Sequence, residues 1–458
     1  MTLIDDLANI EAAAEFSAIP RRQKLESLLR RTEADVPVEQ DLSLGSQVHW
    51  RPDGPLHRWV RYREAYSPTL LTSLSLGQRV LDPFSGSGSI MIGAAQTGRT
   101  STGIDLNPLA TFTTSVKLTP LRDYDYRCIR QFSDEVEQVA SSADPWPTPD
   151  LSIAGKAFEP AILRAQQETR RAIDDRFGDS PAGRFVLLAW IAIFERVGSF
   201  YKEGNGIKYR NKLRRPGTYT NRVEGEWQRK RFGEDQRSHY FSELRAQLAM
   251  MLEDTEVWRD GGWGQQRVIA ASANEIDQFI EPGSQDSVIF SPPYANRFDY
   301  FESYKVELWF GGFVTSSSEM TGLRKKSMRS HLGADLRTVS SPNEALEEFV
   351  DLMDTETSAW RMGVPMLMRG YFEDLRDVLS QSARALAPGG RCFVVVGNSA
   401  FSGVIFPVDV LAARMARECG FSKATVVTTR HLTVAPQQRV SLVGLEAYMR
   451  ESIVVLEL

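Results

Sequence analysis

Residues 79–110, RVLDPFSGSGSIMIGAAQTGRTSTGIDLNPLA, carry the strongest structural signal in the chain. They have the pattern of a short apolar strand, a tight turn with Gly86 and Gly88, a helix, and a second strand that ends at Asp105. Glycine allows a sharp turn and a close approach of the backbone to a ligand, and the first amides of the helix face the same place. The pattern therefore predicts a ligand site at the strand-to-helix turn.

Beyond this unit, short apolar strands alternate with helical patterns, which is typical of a parallel sheet covered by helices. Seven strands are predicted, at 79–81, 101–104, 267–271, 287–290, 391–396, 424–429 and 452–456. Roughly 160 residues separate the second strand from the third, whereas a crossover needs only about a dozen or more. We therefore predict a Rossmann-like α/β fold with a mostly parallel seven-stranded sheet. A large, mainly helical insertion is expected between the second and third strands.

The composition is that of an ordinary globular protein, with 42% apolar and 25% charged residues and a net charge of −5. Collagenous and wholly disordered chains are thereby excluded. The three cysteines lack the paired spacing of a zinc site and favour a reducing cytoplasm, so no metal is expected. The longest apolar run, ten residues from Phe185 to Phe194, is too short to span a membrane and predicts a buried helix.

Two acidic residues help to choose the ligand of the glycine turn. Asp105, at the end of the second strand, can accept hydrogen bonds from both hydroxyls of a ribose. Asp82 would repel a pyrophosphate but suits a ligand that carries an ammonium and a sulfonium. The turn also lacks the third glycine of a dinucleotide site. S-adenosylmethionine is therefore favoured, and the unit resembles motifs I and II of the amino-methyltransferases, which methylate exocyclic amines of nucleic-acid bases.

The second informative motif is Ser291-Pro292-Pro293-Tyr294, directly after the strand DSVIF. It lies at the ligand-binding edge of the predicted sheet. This tetrad resembles motif IV of the DNA amino-methyltransferases, and we predict that its four residues are catalytic.

The chemistry of an exocyclic amine explains the tetrad. Such an amine is a poor nucleophile, so its N–H groups must be held by acceptors that aim the lone pair at the methyl group. The Ser291 hydroxyl and the Pro292 carbonyl can accept those bonds, and Tyr294 offers a flat face to a flipped base. Methylation at cytosine carbon 5 needs a Pro-Cys nucleophile, and no cysteine occurs here.

Weaker resemblances cover roughly residues 55–125 and 266–458. Residues 55–71 resemble the motif X helix. Residues 268–277 occupy the motif III position, where small residues would lie along the edge of the adenine. Residues 386–399 look like the later strand, with the Pro-Gly-Gly turn that precedes it. Together with the glycine turn, they imply a cofactor-binding set of Asp82, Phe84, Gly86, Gly88, Asp105, Leu106 and Ser272.

The insertion is the candidate for target recognition. Residues 202–237 contain eleven Lys/Arg and five Asp/Glu, interleaved with aromatic residues. Cations neutralise phosphates and aromatic rings stack on bases, although basic runs are also common on solvated helix faces. The predicted DNA-binding residues are Lys208, Arg210, Lys212, Arg214, Arg215, Arg229, Lys230 and Arg231.

These observations divide the chain into a helical N-terminal segment (1–54), a cofactor-binding half (55–125), the insertion (126–265) and a catalytic half (266–458). We predict a cytoplasmic, S-adenosylmethionine-dependent DNA methyltransferase that acts on cytosine N4 as a bacterial modification enzyme, with a restriction or defence partner possible and no membrane partner. The alternatives are an adenine-N6 DNA methyltransferase, an RNA guanine-N2 methyltransferase and a non-catalytic nucleic-acid-binding subunit.

Overall fold

A computed structural model describes residues 21–48, 53–62, 66–203, 206–209, 231–233, 235–258, 263–336, 339 and 343–458. Its strands are β1 (Val38–Gln40), β2 (Arg79–Asp82), β3 (Thr100–Asp105), β4 (Phe200–Glu203), β5 (Gly206–Tyr209), β6 (Gln266–Ala270), β7 (Gln285–Phe290), β8 (Leu386–Gly397), β9 (Ser399–Phe401), β10 (Val404–Phe406), β11 (Lys423–His431) and β12 (Arg450–Glu457).

In the described part of the chain, eight strands form one sheet in the order β1-β11-β12-β8-β7-β2-β3-β6. Strands β8, β7, β2, β3 and β6 run parallel, and β12 is antiparallel to both of its neighbours. The prediction of a mostly parallel sheet is confirmed. The predicted count of seven is wrong, because β1 adds a three-residue edge strand whose side chains are all exposed. Such a strand has no apolar run by which it could be found.

The longer helices are α1 (21–33), α2 (Ser89–Gln96), α3 (Pro108–Lys117), α4 (Asp123–Ser141), α5 (Pro160–Phe177), α6 (Pro181–Ala192), α7 (Gln236–Asp254), α8 (Ser317–Lys326), α9 (Val364–Ala385) and α10 (Val408–Glu418). Shorter α-helices are Gly45–Val48, Leu70–Ser73, Ala154–Ala157, Phe194–Val197, Tyr300–Ser303, Lys305–Phe310, Glu344–Val350 and Ser358–Arg361. Short 3-10 helices are Leu42–Leu44, His57–Trp59, Thr255–Trp258, Ala273–Gln278, Pro436–Gln438 and Glu446–Tyr448.

Helix α6 shows why the apolar run at 185–194 folds as it does. Ser180 caps the helix by accepting a hydrogen bond from the Gly183 amide, and Pro181 occupies the first turn, where its missing N–H costs nothing. Beyond this start the helix is apolar on most sides and is enclosed by α5 and α7. The predicted buried helix is confirmed.

Helices cover both faces of the sheet. Helices α1, α9 and α10 pack on one face in a cluster with β7, β8 and β11. A second cluster joins α3 and the insertion helices α4 to α7 to residues 301–314, which follow the tetrad. The insertion therefore shares a core with the catalytic half. No helix in the described ranges is both long and apolar enough to cross a membrane.

Candidate active site

The turn after β2 brings backbone amides to the carboxyl edge of the sheet. Gly86 has φ +52° and Gly88 has φ +83°, in the left-handed region that favours glycine. A Cβ on Gly86 would lie 3.3 Å from the Tyr62 ring, and one on Gly88 would lie 2.6 Å from the Thr114 side chain. Both glycines are therefore required by conformation, and Gly88 also by close packing of α2 on α3.

Asp105 ties the end of β3 to this turn. Its Oδ2 accepts a hydrogen bond from the Gly86 amide at 2.8 Å, and its Oδ1 accepts one from the Asn107 amide at 2.8 Å. Burial raises the pKa of Asp105 to about 6, although the two backbone hydrogen bonds oppose the shift. Each oxygen keeps a second lone-pair direction, so the carboxylate can still accept bonds from a diol.

Asp82 is the second buried carboxyl of the site. Its Oδ1 accepts a hydrogen bond from the Phe84 amide at 3.1 Å, and the residue is 3% exposed. Burial raises the pKa of Asp82 to about 8, and the nearby charge of Asp105 contributes to this rise. A cation bound in the pocket would lower both pKa values, because it stabilises the ionised carboxylates.

The turn is supported from below by Lys117, at the end of α3. Its fully buried ammonium donates to the Ser87 carbonyl at 3.1 Å. Burial lowers the pKa of Lys117 to about 7. Sequence reasoning missed this residue, because a single lysine at a helix end carries no signal of burial.

A pocket at the carboxyl edge brings together most of the predicted catalytic and cofactor-binding residues. The space between its walls, including the open mouth, is about 1010 Å³. Eight predicted residues line it: Asp82, Phe84, Gly86, Asp105, Leu106, Ser272, Ser291 and Pro293. The Phe84 and Phe290 rings, 5.6 Å apart, join the glycine turn to the strand that carries the tetrad.

Three of the predicted catalytic and cofactor-binding residues lie outside the pocket lining. Gly88 packs against α3, Pro292 is buried, and Tyr294 lies over the end of β8. The Tyr294 hydroxyl donates to Glu451 Oε1 at 2.6 Å. The tetrad is therefore split, with Ser291 and Pro293 facing the pocket and Tyr294 beside it.

The wall opposite the glycine turn was not predicted as part of the site. It consists of residues from two segments beyond the tetrad: Tyr300, Phe301, Ser327, Met328, Ser330 and His331. His331 Nδ1 accepts from the Gly333 amide at 3.0 Å, and its Nε2 lies 3.0 Å from Ser327 Oγ. Burial lowers the pKa of His331, with Asp299 opposing the shift. The His331 ring is therefore neutral, and its contacts with Ser327 and Gly333 fix the conformation of this wall.

Ser272 joins the two sides of the pocket at the predicted motif III position. Its hydroxyl caps the helix Ala273–Gln278 by accepting from the Asn274 amide, and it also donates to the Lys326 carbonyl at 3.4 Å. The motif X region differs from expectation, because the described residues of 55–71 form only a short 3-10 helix at His57–Trp59 and a helix that starts at Leu70. Tyr62 and Tyr66 from this region line the pocket.

Two of the predicted DNA-binding residues can be placed. Lys208 forms an ion pair with Glu203 at 2.7 Å. Arg231 donates to the carbonyls of Glu195 at 3.1 Å and Arg196 at 2.8 Å, so its guanidinium serves the end of a helix. The other six lie outside the described residues: Arg210, Lys212, Arg214, Arg215, Arg229 and Lys230.

The fold and the pocket together define a class. A mostly parallel sheet carries an acidic, glycine-walled pocket at its carboxyl edge, and a Pro-Pro turn with a hydroxyl acceptor enters the pocket from the adjacent strand. Such a pocket suits a ligand that carries a ribose and positive charge.

Curated proteins similar to this chain are Type II methyltransferases. M.AvaI from Nostoc sp. (strain PCC 7120 / SAG 25.82 / UTEX 2576) and from Anabaena variabilis is 23% identical over 406 residues, which cover 80% of this chain and 79% of the relative. M.BsoBI from Geobacillus stearothermophilus is 24% identical over 444 residues, covering 88% of this chain and 85% of the relative. These relatives support the methyltransferase class.

Two further comparisons add little. No family model matches the chain. An arsenic(III) S-adenosylmethionine methyltransferase from Chlamydomonas reinhardtii aligns with a TM-score of 0.28 and 12% identity over 94% of this chain and 73% of that chain, a likeness too low to bear on the fold.

Proposed function

We propose that this chain is an S-adenosylmethionine-dependent DNA methyltransferase that methylates an exocyclic base amine, namely N4 of cytosine. The Type II methyltransferase relatives support DNA methylation. We further propose that this chain is a bacterial modification enzyme that works beside a restriction or defence partner. DNA is then the macromolecular substrate.

The charge of the pocket supports S-adenosylmethionine as the cofactor. Asp82 and Asp105 are two buried carboxyls whose pKa values are raised by burial. A ligand with an ammonium and a sulfonium supplies the positive charge that would ionise them. Asp105 would accept the ribose hydroxyls, and the Gly86 turn leaves space for the methionine half. When bound, the cofactor supplies an electrophilic methyl group.

One observation carries the proposal: Ser291 and Asp82 line the same pocket from adjacent parallel strands. The cofactor end and the acceptor end of the reaction are thereby neighbours. Ser291 Oγ and the Pro292 carbonyl would accept the two N–H bonds of the amine, which aims its lone pair at the methyl group. None of the three cysteines lines this pocket, in agreement with direct transfer to nitrogen.

The base assignment rests on the first residue of the tetrad. A serine hydroxyl is a neutral acceptor and can also donate, whereas a carboxylate is a stronger acceptor. In the families that this chain resembles, Ser-Pro-Pro-Tyr accompanies cytosine and Asp-Pro-Pro-Tyr or Asn-Pro-Pro-Tyr accompanies adenine, with exceptions. Adenine N6 is therefore the second candidate, because both amines are presented similarly once the base is flipped.

Target recognition is assigned to the insertion, 126–265, between the cofactor-binding half (55–125) and the catalytic half (266–458). Its helices share an apolar cluster with residues 301–314, so the insertion is packed against the segment that follows the tetrad. The cluster gives DNA held by the insertion a rigid relation to the pocket. The segment 1–54, with α1 and β1, has no assigned role in the reaction.

The test is transfer of a labelled methyl group to DNA and to RNA, followed by digestion and mass spectrometry of the nucleosides. We expect N4-methylcytosine in DNA. N6-methyladenine alone would overturn the base assignment, and label in RNA or in neither polymer would overturn the DNA activity.

A matched pair of variants tests whether methyl transfer takes place in this pocket. Ser291→Ala removes the proposed acceptor and should abolish transfer while cofactor binding remains. Ser287→Ala removes a hydroxyl from the same strand, where it accepts from the Gly77 amide at 2.9 Å at the opposite edge of the sheet. It should lower stability and leave transfer intact.

A further inference from the structure

Tyr294, the last residue of the tetrad, is held by a network that the sequence does not reveal. Its hydroxyl donates to Glu451 Oε1 at 2.6 Å. The Glu451 side chain, on β12, is only 3% exposed. A hydrogen bond to a buried carboxylate is short and directional, so the phenol has one favoured orientation.

Glu451 is itself fixed from the next strand. Arg430 Nε donates to Oε2 at 2.6 Å and its Nη2 donates to Oε1 at 3.1 Å, which forms a two-bond fork. The two residues are register partners between β11 and β12, beside an irregularity in the ladder at 428–430. The fork compensates the buried charge of Glu451 and prevents the carboxylate from turning away.

The backbone of β8 sets the position of the ring. Gly397 is the register partner of Glu451 on the other side of β12. A Cβ on Gly397 would lie 2.9 Å from Tyr294 Cε2 and 3.1 Å from Cδ2. The ring thus lies close against the Gly397 backbone, while the residue as a whole is only half-buried. Its chain neighbours Ser291 and Pro293 line the pocket.

We propose that Glu451 and Arg430 are positioning residues that fix the Tyr294 ring as the platform for the target base. The proposal rests on the proposed function, since the base is the substrate. Bound S-adenosylmethionine would supply the methyl group and keep the S–C electron pair on sulfur. The amine nitrogen would then carry positive charge until it loses a proton to water. An aromatic face stabilises a nearby cation, and donation of the phenol proton toward a carboxylate makes that face more electron-rich.

Three variants test the platform. Tyr294→Phe keeps the ring and removes the hydroxyl, Glu451→Gln keeps the shape and removes the charge, and the double variant combines them. We expect each single variant to slow single-turnover transfer by about ten- to a hundredfold. The double variant should be no slower than the slower single variant, because both act through one bond. Cofactor affinity and DNA affinity should stay at wild-type values.

Two further variants separate positioning from general loss of stability. Gly397→Ala displaces the ring without removing a polar group and should also slow transfer. Ser422→Ala removes a hydroxyl that donates to the Glu457 carbonyl at 3.2 Å, at the far end of β12, and its transfer rate should equal that of the wild type.

The outcomes distinguish the two proposals. If the wild type methylates DNA and Tyr294→Phe and Glu451→Gln keep its rate, or if their effects add, the positioning proposal is wrong and the proposed function stands. If the wild type methylates no DNA, the proposed function is wrong, and so is the positioning proposal that depends on it.

Discussion

The end of the pocket at the glycine turn comes mostly from one continuous stretch, Asp82 to Asn107, with Tyr62 and Tyr66 beside it. The opposite side is assembled from Ser272, Ser291 and two later segments at 300–301 and 327–331. In the first region, short-range hydrogen bonds join the turn to Asp105. In the second, contacts such as Ser272 to Lys326 and Tyr294 to Glu451 join residues far apart in the chain. A local site can be recognised as a motif, while an assembled site depends on the strand order.

If the glycine-turn end is a self-contained cofactor site, its largest response should come from Asp105. Asp105→Ala removes two proposed ribose bonds, each worth about 1.5–3 kcal/mol, and leaves the Gly86 and Asn107 amides without their acceptor. We expect a loss of at least about a hundredfold in S-adenosylmethionine affinity by calorimetry.

DNA affinity should survive Asp105→Ala, and this measurement is the control. Asp105→Asn retains one acceptor oxygen and should bind the cofactor with intermediate affinity. Unchanged cofactor affinity in folded Asp105→Ala would show that the ribose does not bind at this end of the pocket.

The pH dependence of cofactor binding tests the same end of the pocket. Because the pKa of Asp82 is raised to about 8 in the free pocket, binding of a cation at pH 7 should release a proton. Affinity should then fall by up to about tenfold for each pH unit below 8. Calorimetry in buffers of different ionisation enthalpy measures the released proton directly.

Asp82→Asn tests the cause of this pH dependence. The pKa of Asp82 is about 8 in the folded protein and 3.8 in the unfolded chain, so protonation of Asp82 stabilises the fold. This stabilisation is complete below pH 3.8 and is lost as the pH rises through about 8. The variant should therefore melt at a higher temperature than the wild type at pH 9, yet bind the cofactor weakly and without proton release. Equal melting temperatures at pH 9 would contradict the buried, ionisable carboxyl.

Substitutions in the insertion should change DNA binding without affecting either end of the pocket. Reversing the charge of Arg214, Arg215, Arg229 and Lys230 should weaken DNA binding and reduce the slope of log K against log salt by about 0.9 for each phosphate that is no longer neutralised. Cofactor affinity should not change. Reversal of Lys208, which is paired with Glu203, is the matched control and should change the slope least. An unaltered slope in the fourfold variant would point instead to a second basic stretch, Arg324 to Arg329, as the DNA surface.

The smallest effect is expected at the assembled wall. His331→Ala removes the bonds to Gly333 and Ser327, so Ser327, Met328 and Ser330 should lose their fixed positions. Transfer should slow by about tenfold, with cofactor affinity unchanged in an equilibrium titration. His431→Ala, at an exposed strand end, is the control. A selective loss of cofactor affinity in His331→Ala would show that the two sides of the pocket are not separate.

Several features of the site could not be predicted from the sequence, for identifiable physical reasons. The glycine pattern predicts that Gly88 binds the cofactor, but it does not show the contact of Gly88 with Thr114. The tetrad pattern predicts Tyr294 beside the target base, but it does not show that Glu451 fixes the ring over β8. The wall at 327–331 has no motif in the sequence, because nothing in its spacing indicates which strand end it will approach.

The amino-acid sequence by itself determined the α/β class, the mostly parallel sheet, the glycine turn with Asp82 and Asp105, and the position of Ser291 at a strand end. These features depend on hydrophobic periodicity and on short-range backbone conformation, both of which can be read along the chain. Only the tertiary structure decided that β1 extends the sheet, that His331 lines the pocket, and that Glu451 and Arg430 hold Tyr294. Those contacts arise from strand order and burial, and residues more than 150 positions apart, such as Tyr294 and Glu451, acquire their relation only when the sheet forms.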